Sequence, residues 1–407
     1  MRTSARQTLL SAAALTIATL LAGCANTSGG GADGVQSAEG VSGSTISLGV
    51  VSDYTGPFGA LATEALAGIE QFWDEQNADG GVCSTYDVEL VVRDHQSNPQ
   101  QAVTAYREIT PQVAAYQNFA GSATMAAITP DLEVDQRIVL ANTAADEAVD
   151  SKYVLPLYAK FDIDGELSVR WLIESGLLSK GDTIASIYTE SDYGQLEHEG
   201  AVRAAEDNGI KVKGYQVKLT DTDLSVAVND ALAAGANAVF AGVTPGQTAS
   251  IATALEGAGA DLPIAGAVSA YSGSLLNTPA RDYLTEHFTG TSYNVTGEFE
   301  DGVELYKRLS EANDGKPVSS DRANGYAAAA LMHQLLEAAC EAGDLTPEGI
   351  SAQRSNIGVT DFDGYAVDFD YSTPGESPAT TAFIRQPDAS VPGGSRTVSD
   401  GAFGPAD

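Results

Sequence analysis

From Thr45 onward, short apolar runs alternate with longer amphipathic segments. The run TISLGVV (Thr45–Val51) predicts a strand, and the segment GALATEALAGIEQFWDEQNADGG that follows predicts a helix. The apolar residues of this helix recur every three or four positions, at Leu61, Ala65, Ile69 and Phe72. A strand followed by an amphipathic helix is the repeating unit of α/β proteins.

The same alternation continues along the chain. It predicts strands at Val88–Asp94, Ala115–Phe119, Arg137–Thr143, Thr183–Tyr188, 210–219, Ala238–Val243 and Ile264–Val268. It predicts helices at Tyr193–Asn208, Leu224–Ala234, Gln247–Ala258, Glu298–Asn313 and Asp321–Glu341. A further helix is expected from Pro99, because Asn98 can cap it and a proline at the first position loses no hydrogen bond. Apolar strands separated by helices indicate parallel sheets that are covered on both faces.

The pattern divides into two sets with a break near residues 156–164, so we expect two lobes. The late helices and two late strands, 364–372 and 380–386, remain to complete these lobes. The chain must therefore cross between the lobes more than once. Since ligands of parallel sheets bind beyond the carboxyl ends of the strands, two facing lobes would form a cleft.

The N-terminus has the layout of an export signal. Arg2 and Arg6 precede an apolar stretch, Leu9–Leu21, that is too short to span a membrane. The sequence Leu21-Ala22-Gly23-Cys24 resembles the lipobox of bacterial lipoproteins, in which the cysteine becomes the lipidated first residue. The alternative is an ordinary signal peptide with an incidental cysteine. We predict a signal peptide at 1–23 and a lipid anchor on Cys24, with the protein outside the cytoplasm on the cell membrane.

The segment after Cys24 has almost no large apolar residue up to Gly43. Such a segment cannot bury enough surface to fold, so we expect a flexible tether over 24–43. No later segment has about 18 consecutive apolar residues, and no further spanning helix is expected.

The net charge of −34 argues against partners that are themselves anionic. Nucleic acids and anionic lipids need clustered lysine and arginine, whereas here the acidic residues are spread along the chain. We interpret them as a solvated surface. The two remaining cysteines, Cys83 and Cys340, predict a disulfide in an exported protein, the alternative being two buried thiols. The bridge would place an early loop and a late helix in the same lobe.

Motifs of common enzymes are missing from the sequence. There is no G-x-S-x-G, H-E-x-x-H or G-x-x-x-x-G-K-[ST], and the four histidines are not at metal-ligand spacing. GGGADG (Gly29–Gly34) fits G-x-G-x-x-G but follows no strand. We therefore expect a binding protein that is not an enzyme, without metal or cofactor.

The turns after the first-lobe strands carry the more informative residues. FAGSATMAAITP places Ser122 and Thr124 between a strand and a helix. Free backbone N–H groups and hydroxyls at a helix N-terminus suit a carboxylate, although the two residues could simply cap the helix.

Several motifs in order resemble those of the branched-chain amino-acid-binding proteins of ABC transporters, which have the type I periplasmic binding fold. They are ISLGVVSDYTGPFG, NADGGV, VVRDHQSNPQQAV, GSAT and YTESDYGQ. The resemblance covers about Thr45 to Gln386. It implies two doubly wound parallel-sheet lobes joined by three crossover segments. On this basis we assign 44–158 and 294–352 to the first lobe, and 159–293 and 353–407 to the second.

The resemblance also implies roles for individual residues. Ser122, with N–H groups near Ala123 and Thr124, would hold a ligand carboxylate. The next turn would supply acceptors for an amino group at Asn142, Thr143 and Ala145. Tyr193 would reach across from the second lobe when the cleft closes, and Phe58 would flank the side-chain pocket or simply pack under its turn.

The second lobe departs from the amino-acid-binding pattern. Thr244 stands where an aromatic residue is usual, and the turn containing Ser269 and Tyr271 lacks the usual acid. A buried ammonium without an acid is costly, so the ligand could be an amide, a urea or an aromatic acid, unless Asp146 or another acid substitutes. Tyr271 could stack on a flat ligand or belong to the core.

The predicted function is the solute-binding component of an ABC importer. It would be a lipid-anchored monomer that closes on a small polar molecule, an amino acid or a related amide or carboxylate, and delivers it to permease subunits. The alternative is a sensory receptor of the same fold that feeds a signalling partner, since the fold does not fix the use.

Overall fold

The computed structural model describes residues 29–30, 34–315 and 317–404. Its strands are β1 (Gly29–Gly30), β2 (Gln36–Ser37), β3 (Val41–Ser42), β4 (Thr45–Ser52), β5 (Asp87–Asp94), β6 (Ala115–Ala120), β7 (Val139–Asn142), β8 (Val154–Pro156), β9 (Thr183–Thr189), β10 (Lys211–Val217), β11 (Ala238–Gly242), β12 (Ile264–Gly266), β13 (Phe288–Ser292), β14 (Asp344–Leu345), β15 (Val359–Thr360), β16 (Phe369–Asp370), β17 (Phe383–Pro387) and β18 (Ser395–Thr397). Its α-helices are α1 (Gly59–Ala78), α2 (Pro99–Ile109), α3 (Ser122–Asp135), α4 (Asp146–Asp150), α5 (Phe161–Glu174), α6 (Asp192–Asp207), α7 (Ser225–Ala233), α8 (Pro245–Gly257), α9 (Arg281–His287), α10 (Glu300–Ala312), α11 (Ser320–Glu341), α12 (Pro347–Ala352) and α13 (Arg354–Ile357).

The first lobe is built on a parallel sheet in the order β5-β4-β6-β7-β8, with the short β3 antiparallel to the start of β4. One face packs on α1 and α11, and the other packs on α2 and α3. Each central strand is buried on both faces, which is why its sequence is apolar without alternation.

The second lobe has the sheet order β10-β9-β11-β12-β13-β17-β18. Its first five strands are parallel, and β17 and β18 extend the edge in antiparallel fashion. Helices α5 and α6 cover one face, while α7 and α8 cover the other. The α/β fold with two parallel-dominated lobes is therefore confirmed. Within the described residues, no helix is both long enough and apolar enough to cross a membrane.

Local signals gave the element boundaries to within a few residues. Asn98 caps α2 by accepting hydrogen bonds from the N–H groups of Gln100 and Gln101, with Pro99 as the first helical residue, as predicted. The late segment 364–372 does not form the one long strand that the sequence predicts: Phe369–Asp370 is a short strand, and Ala366 forms a separate antiparallel bridge with Asn294. Helix α5 was not predicted.

Helices α1 and α11 pack closely and run in the same direction. Glycines permit this approach, since a Cβ atom on Gly68 would lie 2.0 Å from the carbonyl oxygen of Arg322, and one on Gly325 would lie 1.9 Å from that of Ala65. The predicted disulfide joins Cys83, in the loop between α1 and β5, to Cys340 of α11, with their Cα atoms 6.2 Å apart. It fixes the late helix to the first lobe.

The N-terminal segment is ordered further than predicted. Val41–Ser42 pairs with the start of β4, and Gln36–Ser37 pairs in parallel with β14 of the first lobe. Arg137 also forms an ion pair with Glu39. The predicted tether is therefore wrong from Gln36 onward, because backbone pairing holds a segment that has few apolar side chains. The predicted signal peptide and Cys24 lie outside the described residues.

The last crossing between the lobes comes later than the predicted boundary at residue 353. Arg354 donates hydrogen bonds to the carbonyl oxygens of Ser151 and Val154, and the Tyr371 hydroxyl donates to that of Pro156, at 2.8 Å. These contacts attach the segment from Arg354 to Tyr371 to the first lobe. The chain enters the second-lobe sheet only at β17.

Candidate functional site

A cleft of about 180 Å³ opens at the carboxyl ends of the first-lobe strands and faces the second lobe. Its polar lining comes mainly from the turns after the strands, at Ser52, Asp53, His95, Ser97, Asn118, Ser122, Thr124 and Asn142. Its apolar lining comes mainly from α1 and α11, at Leu61, Ala62, Ala65, Ile69, Gly325 and Ala328. The second lobe contributes Phe161, Ser191, Tyr193, Leu219 and Ser269. The cleft is therefore polar on one side and apolar on the other.

The polar side centres on Ser122, the first residue of α3. Its hydroxyl lies 2.9 Å from that of Thr143, which follows β7 and is fully buried. Thr143 accepts from the N–H of Ala145, so it can donate to Ser122 and leave the Ser122 proton for a ligand. Helix α3 begins without a side-chain cap. A helix cannot satisfy its first N–H groups internally, and here they flank the Ser122 hydroxyl at the cleft.

Thr124 lines the cleft with its hydroxyl turned away from it. This hydroxyl donates back to the carbonyl oxygens of Ala120 and Gly121 at the start of the helix. Gly121 has a φ of +91°, and a Cβ atom there would lie 2.7 Å from the Thr124 oxygen. Thr124 thus shapes the turn, and Ala123 and Thr124 can offer a ligand only backbone N–H groups.

Asp53 is a buried acid of the cleft whose oxygens are already engaged. They accept from the N–H groups of Gly56 and Phe58, at 2.6 and 3.0 Å, and from the Ser97 hydroxyl at 2.7 Å. These bonds fix the turn that carries Phe58, which lines the cleft.

His95 beside it is buried and neutral. Its Nδ1 accepts from the N–H of Ser97, so its Nε2 carries the proton and donates to the carbonyl oxygen of Ala120 at 3.0 Å. Desolvation by burial lowers the pKa of His95. This ring stabilises the β5–α2 turn against β6.

Asn142 lines the cleft, but its amide is engaged in the wall. It donates to Asn118 Oδ1 at 2.8 Å and accepts from the Tyr158 hydroxyl at 3.2 Å. Its predicted role as a free acceptor for a ligand amino group therefore has little support in the geometry.

Tyr193 and Ser269 bring the second lobe to the cleft. The Tyr193 ring packs edge-on against Phe161, with ring centroids 5.1 Å apart, and its hydroxyl is buried without a hydrogen-bond partner among the described residues. One turn further along α6, Glu197 is fully buried near Asp164. Desolvation raises the pKa of Glu197 well above its usual range, and repulsion from Asp164 raises it further. Glu197, behind Tyr193, therefore holds its proton more tightly than an exposed glutamate does.

Asp321 is the acid of the cleft that sequence reasoning missed. It lies in the first turn of α11, is 3% exposed, and accepts a 2.8 Å hydrogen bond from Ser272 of the second lobe. Desolvation by burial raises its pKa to about 6, while the hydrogen bond from Ser272 and the charge of Arg385 lower it. Asp321 therefore joins the two lobes at the cleft wall.

Five predicted or considered positions do not line the cleft, and one of them, Thr143, is fully buried behind Ser122. Thr244 caps α8 in a reciprocal pair with Gln247. The Tyr271 ring is buried in the second-lobe core, and its hydroxyl donates to the carbonyl oxygen of Gly394. Ala145 is buried beneath the turn, and Asp146 forms an ion pair with Lys160 at 2.5 Å. We therefore remove Thr244, Tyr271 and Ala145 from the site, and Asp146 from the acids that could pair with an ammonium.

The helix residues of the apolar wall carried a misleading signal. Leu61, Ala65 and Ile69 were identified as the buried face of α1, and their spacing is the same whether the face packs on protein or on a cavity. No sequence signal set Asp321 or Ala328 apart from the rest of α11. No cluster of three or more potential metal ligands occurs among the described residues.

The fold is shared with substrate-binding proteins of ABC transporters. The structure is similar to a fatty acid ABC transporter substrate-binding protein from Thermomonospora curvata, with 31% identity, 93% of this chain and 97% of that chain covered, and a TM-score of 0.88. It is also similar to a branched-chain amino acid ABC transporter protein from Thermus thermophilus with bound valine, at 19% identity, 89% and 97% coverage and a TM-score of 0.77. A third similar structure is a solute-binding protein from Rhodopseudomonas palustris BisB5 with 3,4-dihydroxybenzoic acid, at 14% identity, 89% and 98% coverage and a TM-score of 0.74.

No curated protein sequence matches the chain. A family model described as periplasmic binding protein matches residues 45–391, which include every lining residue of the cleft and all strands of the two lobe sheets except β3 and β18. The chain belongs to the periplasmic binding protein family.

Proposed function

We propose that the protein is the substrate-binding component of an ABC importer for carboxylates with an aliphatic chain, of the fatty-acid class. As a member of its family it is an extracytoplasmic binding protein and not an enzyme. The observation that carries the proposal is the division of the cleft, with hydroxyl and N–H donors at Ser122 on one side and aliphatic side chains of α1 and α11 on the other. The 31% identical relative is named for fatty acid transport, which supports the same ligand class.

The closing step would bring Tyr193 and Ser269 over the carboxylate end of the ligand. Closure buries the apolar chain and changes the surface presented to permease subunits. The same proposal includes a lipid anchor at Cys24 and action as a monomer. Anchoring is tested by incorporation of a labelled fatty acyl group, which Cys24→Ser should abolish.

A second candidate ligand is an α-amino acid. Asp321 favours it, because this carboxylate lines the cleft and could pair with an ammonium group. The two candidates make opposite predictions for Asp321→Asn. The variant should lose an amino acid ligand, whereas an aliphatic carboxylate should bind it as well as or better than wild type, since a like charge is removed.

A thermal-shift screen of the protein lacking residues 1–24 tests the proposal. Decanoate, leucine, benzoate and decylamine are compared after lipids from the expression host have been stripped away. We expect decanoate to raise the unfolding temperature. At a hundredfold excess over its dissociation constant, the ligand should add about 2.7 kcal/mol to the free energy of unfolding. Stabilisation by leucine or decylamine but not by decanoate would overturn the assignment.

Ser122→Ala should weaken decanoate binding by about 1–3 kcal/mol. The substitution removes a hydroxyl that donates to the carboxylate and leaves that charge short of one buried hydrogen bond. Calorimetric titration measures the loss. Ser355→Ala, an exposed position of the first lobe, is the matched control and should bind as wild type does. Equal affinity in all three proteins would remove Ser122 from the site.

A further inference from the structure

The apolar lining of the cleft follows α1 and α11 into the first lobe, and we call the space beside these residues the channel. On α1, the lining residues Leu61, Ala65 and Ile69 are spaced by four, which places them on one stripe about 12 Å long. On α11, the lining residues run from Asp321 to Ala328, about 10 Å. Because the two helices run in the same direction, the two stripes descend together beside the sheet, away from the second lobe.

Close contacts bound the channel at the seam between α1 and α11 and at its deep end. Gly325 touches the backbone of Ala65 so closely that a Cβ atom would lie 1.9 Å from its carbonyl oxygen, which seals the seam between the helices. Ile69 and Ala328 are 2% and 4% exposed and are the deepest lining residues of their helices. One turn below Ile69, the Trp73 Nε1 donates to Gln117 at 3.0 Å, so the core is filled there.

Small side chains keep this space free. Ala62, Ala65 and Ala328 line it, where larger aliphatic residues would be expected in a fully packed helix–sheet interface. An apolar space that follows two helix stripes for about 10–12 Å suits a flexible unbranched chain better than a compact or flat side group.

We infer that the aliphatic chain of the ligand inserts into this channel inside the first lobe, and that Ile69 and Ala328 set the longest chain that fits. The inference rests on the proposed function and specifies the ligand class further. At an advance of about 1.25 Å per carbon, which follows from a C–C bond of about 1.5 Å, the channel accepts about eight to ten carbons. Longer chains must leave their remaining carbons outside it.

Dissociation constants of butanoate, hexanoate, octanoate, decanoate, dodecanoate and hexadecanoate test the inference by calorimetry. For wild type, affinity should rise about fourfold per methylene group and then level off or fall near decanoate. In Ala328→Leu, affinity should stop rising at a shorter chain length than in wild type. Decanoate should bind about tenfold more weakly or worse, and the dissociation constant of butanoate should stay within about twofold of wild type. In Ile69→Ala, affinity should continue to rise up to a longer chain length than in wild type. Ala78 is an exposed residue of the same α1 helix, and Ala78→Leu should leave the dependence of affinity on chain length unchanged.

The possible failures are distinguishable. If no acid of any length binds wild type, the proposed function itself fails. If the acids bind wild type but both channel variants keep its chain-length dependence, the ligand is a carboxylate that lies elsewhere in the cleft and the inference fails. Unfolding curves without ligand confirm that each variant is folded, and Ala328→Val replaces Ala328→Leu if the larger residue is not tolerated.

Discussion

Replacing Cys83 and Cys340 together by serine is expected to lower the free energy of unfolding by about 5 kcal/mol. The bridge joins residues 257 apart in sequence. A loop of that length has a large closure entropy in the unfolded chain, and the cross-link removes it. The native contacts around the bridge should survive, because the Cys83 N–H also donates to Glu337 of α11 at 2.7 Å. The effect should therefore appear in stability and not in the fold.

Urea unfolding of the double variant and of wild type, each with and without reductant, measures this loss. Reduced wild type should match the double variant, and the double variant should not respond to reductant. A difference below about 1 kcal/mol, or two titratable thiols in the native wild-type protein, would contradict the bridge.

Asp321→Asn is expected to raise the free energy of unfolding, by an amount that depends on pH. Burial raises the folded-state pKa of Asp321 to about 6, whereas an unfolded aspartate has a pKa of about 3.9. The folded protein therefore binds this proton more tightly than the unfolded chain does. As a result, the contribution of Asp321 to the free energy of unfolding falls as pH rises from about 4 to about 6. Asparagine keeps the shape and an acceptor for Ser272 without the charge. At pH 8 the variant should be more stable than wild type by about 3 kcal/mol.

Near pH 4 the advantage of Asp321→Asn should almost disappear, because the wild-type carboxyl is then protonated when folded. Unfolding free energies measured at both pH values test this. Asp230→Asn, at an exposed position of α7, controls for the general loss of one negative charge and should show a much smaller change with pH. An equal effect of Asp321→Asn at both pH values would show that Asp321 carries no burial penalty.

The sequence predicted the fold well because the strands and helices carry local signals. Thr45–Val51 has the apolar run of a buried strand, and Asn98-Pro99 marks a helix start, so both were placed correctly. The segment at Gln36–Ser42 was missed for the opposite reason. It is held by backbone pairing and by the Arg137–Glu39 ion pair, neither of which is visible in a hydrophobicity pattern.

The site was only partly predictable. Ser122 and Tyr193 both line the cleft and Thr143 lies behind Ser122, since each follows or faces a strand end in the same topology, and their roles in binding stay predictions. Thr244 and Tyr271 are also near strand ends, but the first caps a helix and the second fills the core. Asp321 reaches the cleft because two distant segments meet, which local sequence does not encode.

The apolar wall of the cleft could not be predicted from the sequence either. A stripe of Leu61, Ala65 and Ile69 indicates burial, and burial can be provided by a neighbouring helix or by a bound chain. Only the arrangement of α1, α11 and the sheet shows that small residues leave a space beside this stripe.

The most direct test of the central claim is a crystal structure of the protein with decanoate. We expect the carboxylate within hydrogen-bonding distance of Ser122 Oγ and the N-terminal N–H groups of α3, with the chain passing Ala65 and ending near Ile69 and Ala328. Electron density for decanoate on another surface, with the cleft empty or filled by an amino acid retained from the expression host, would contradict the account.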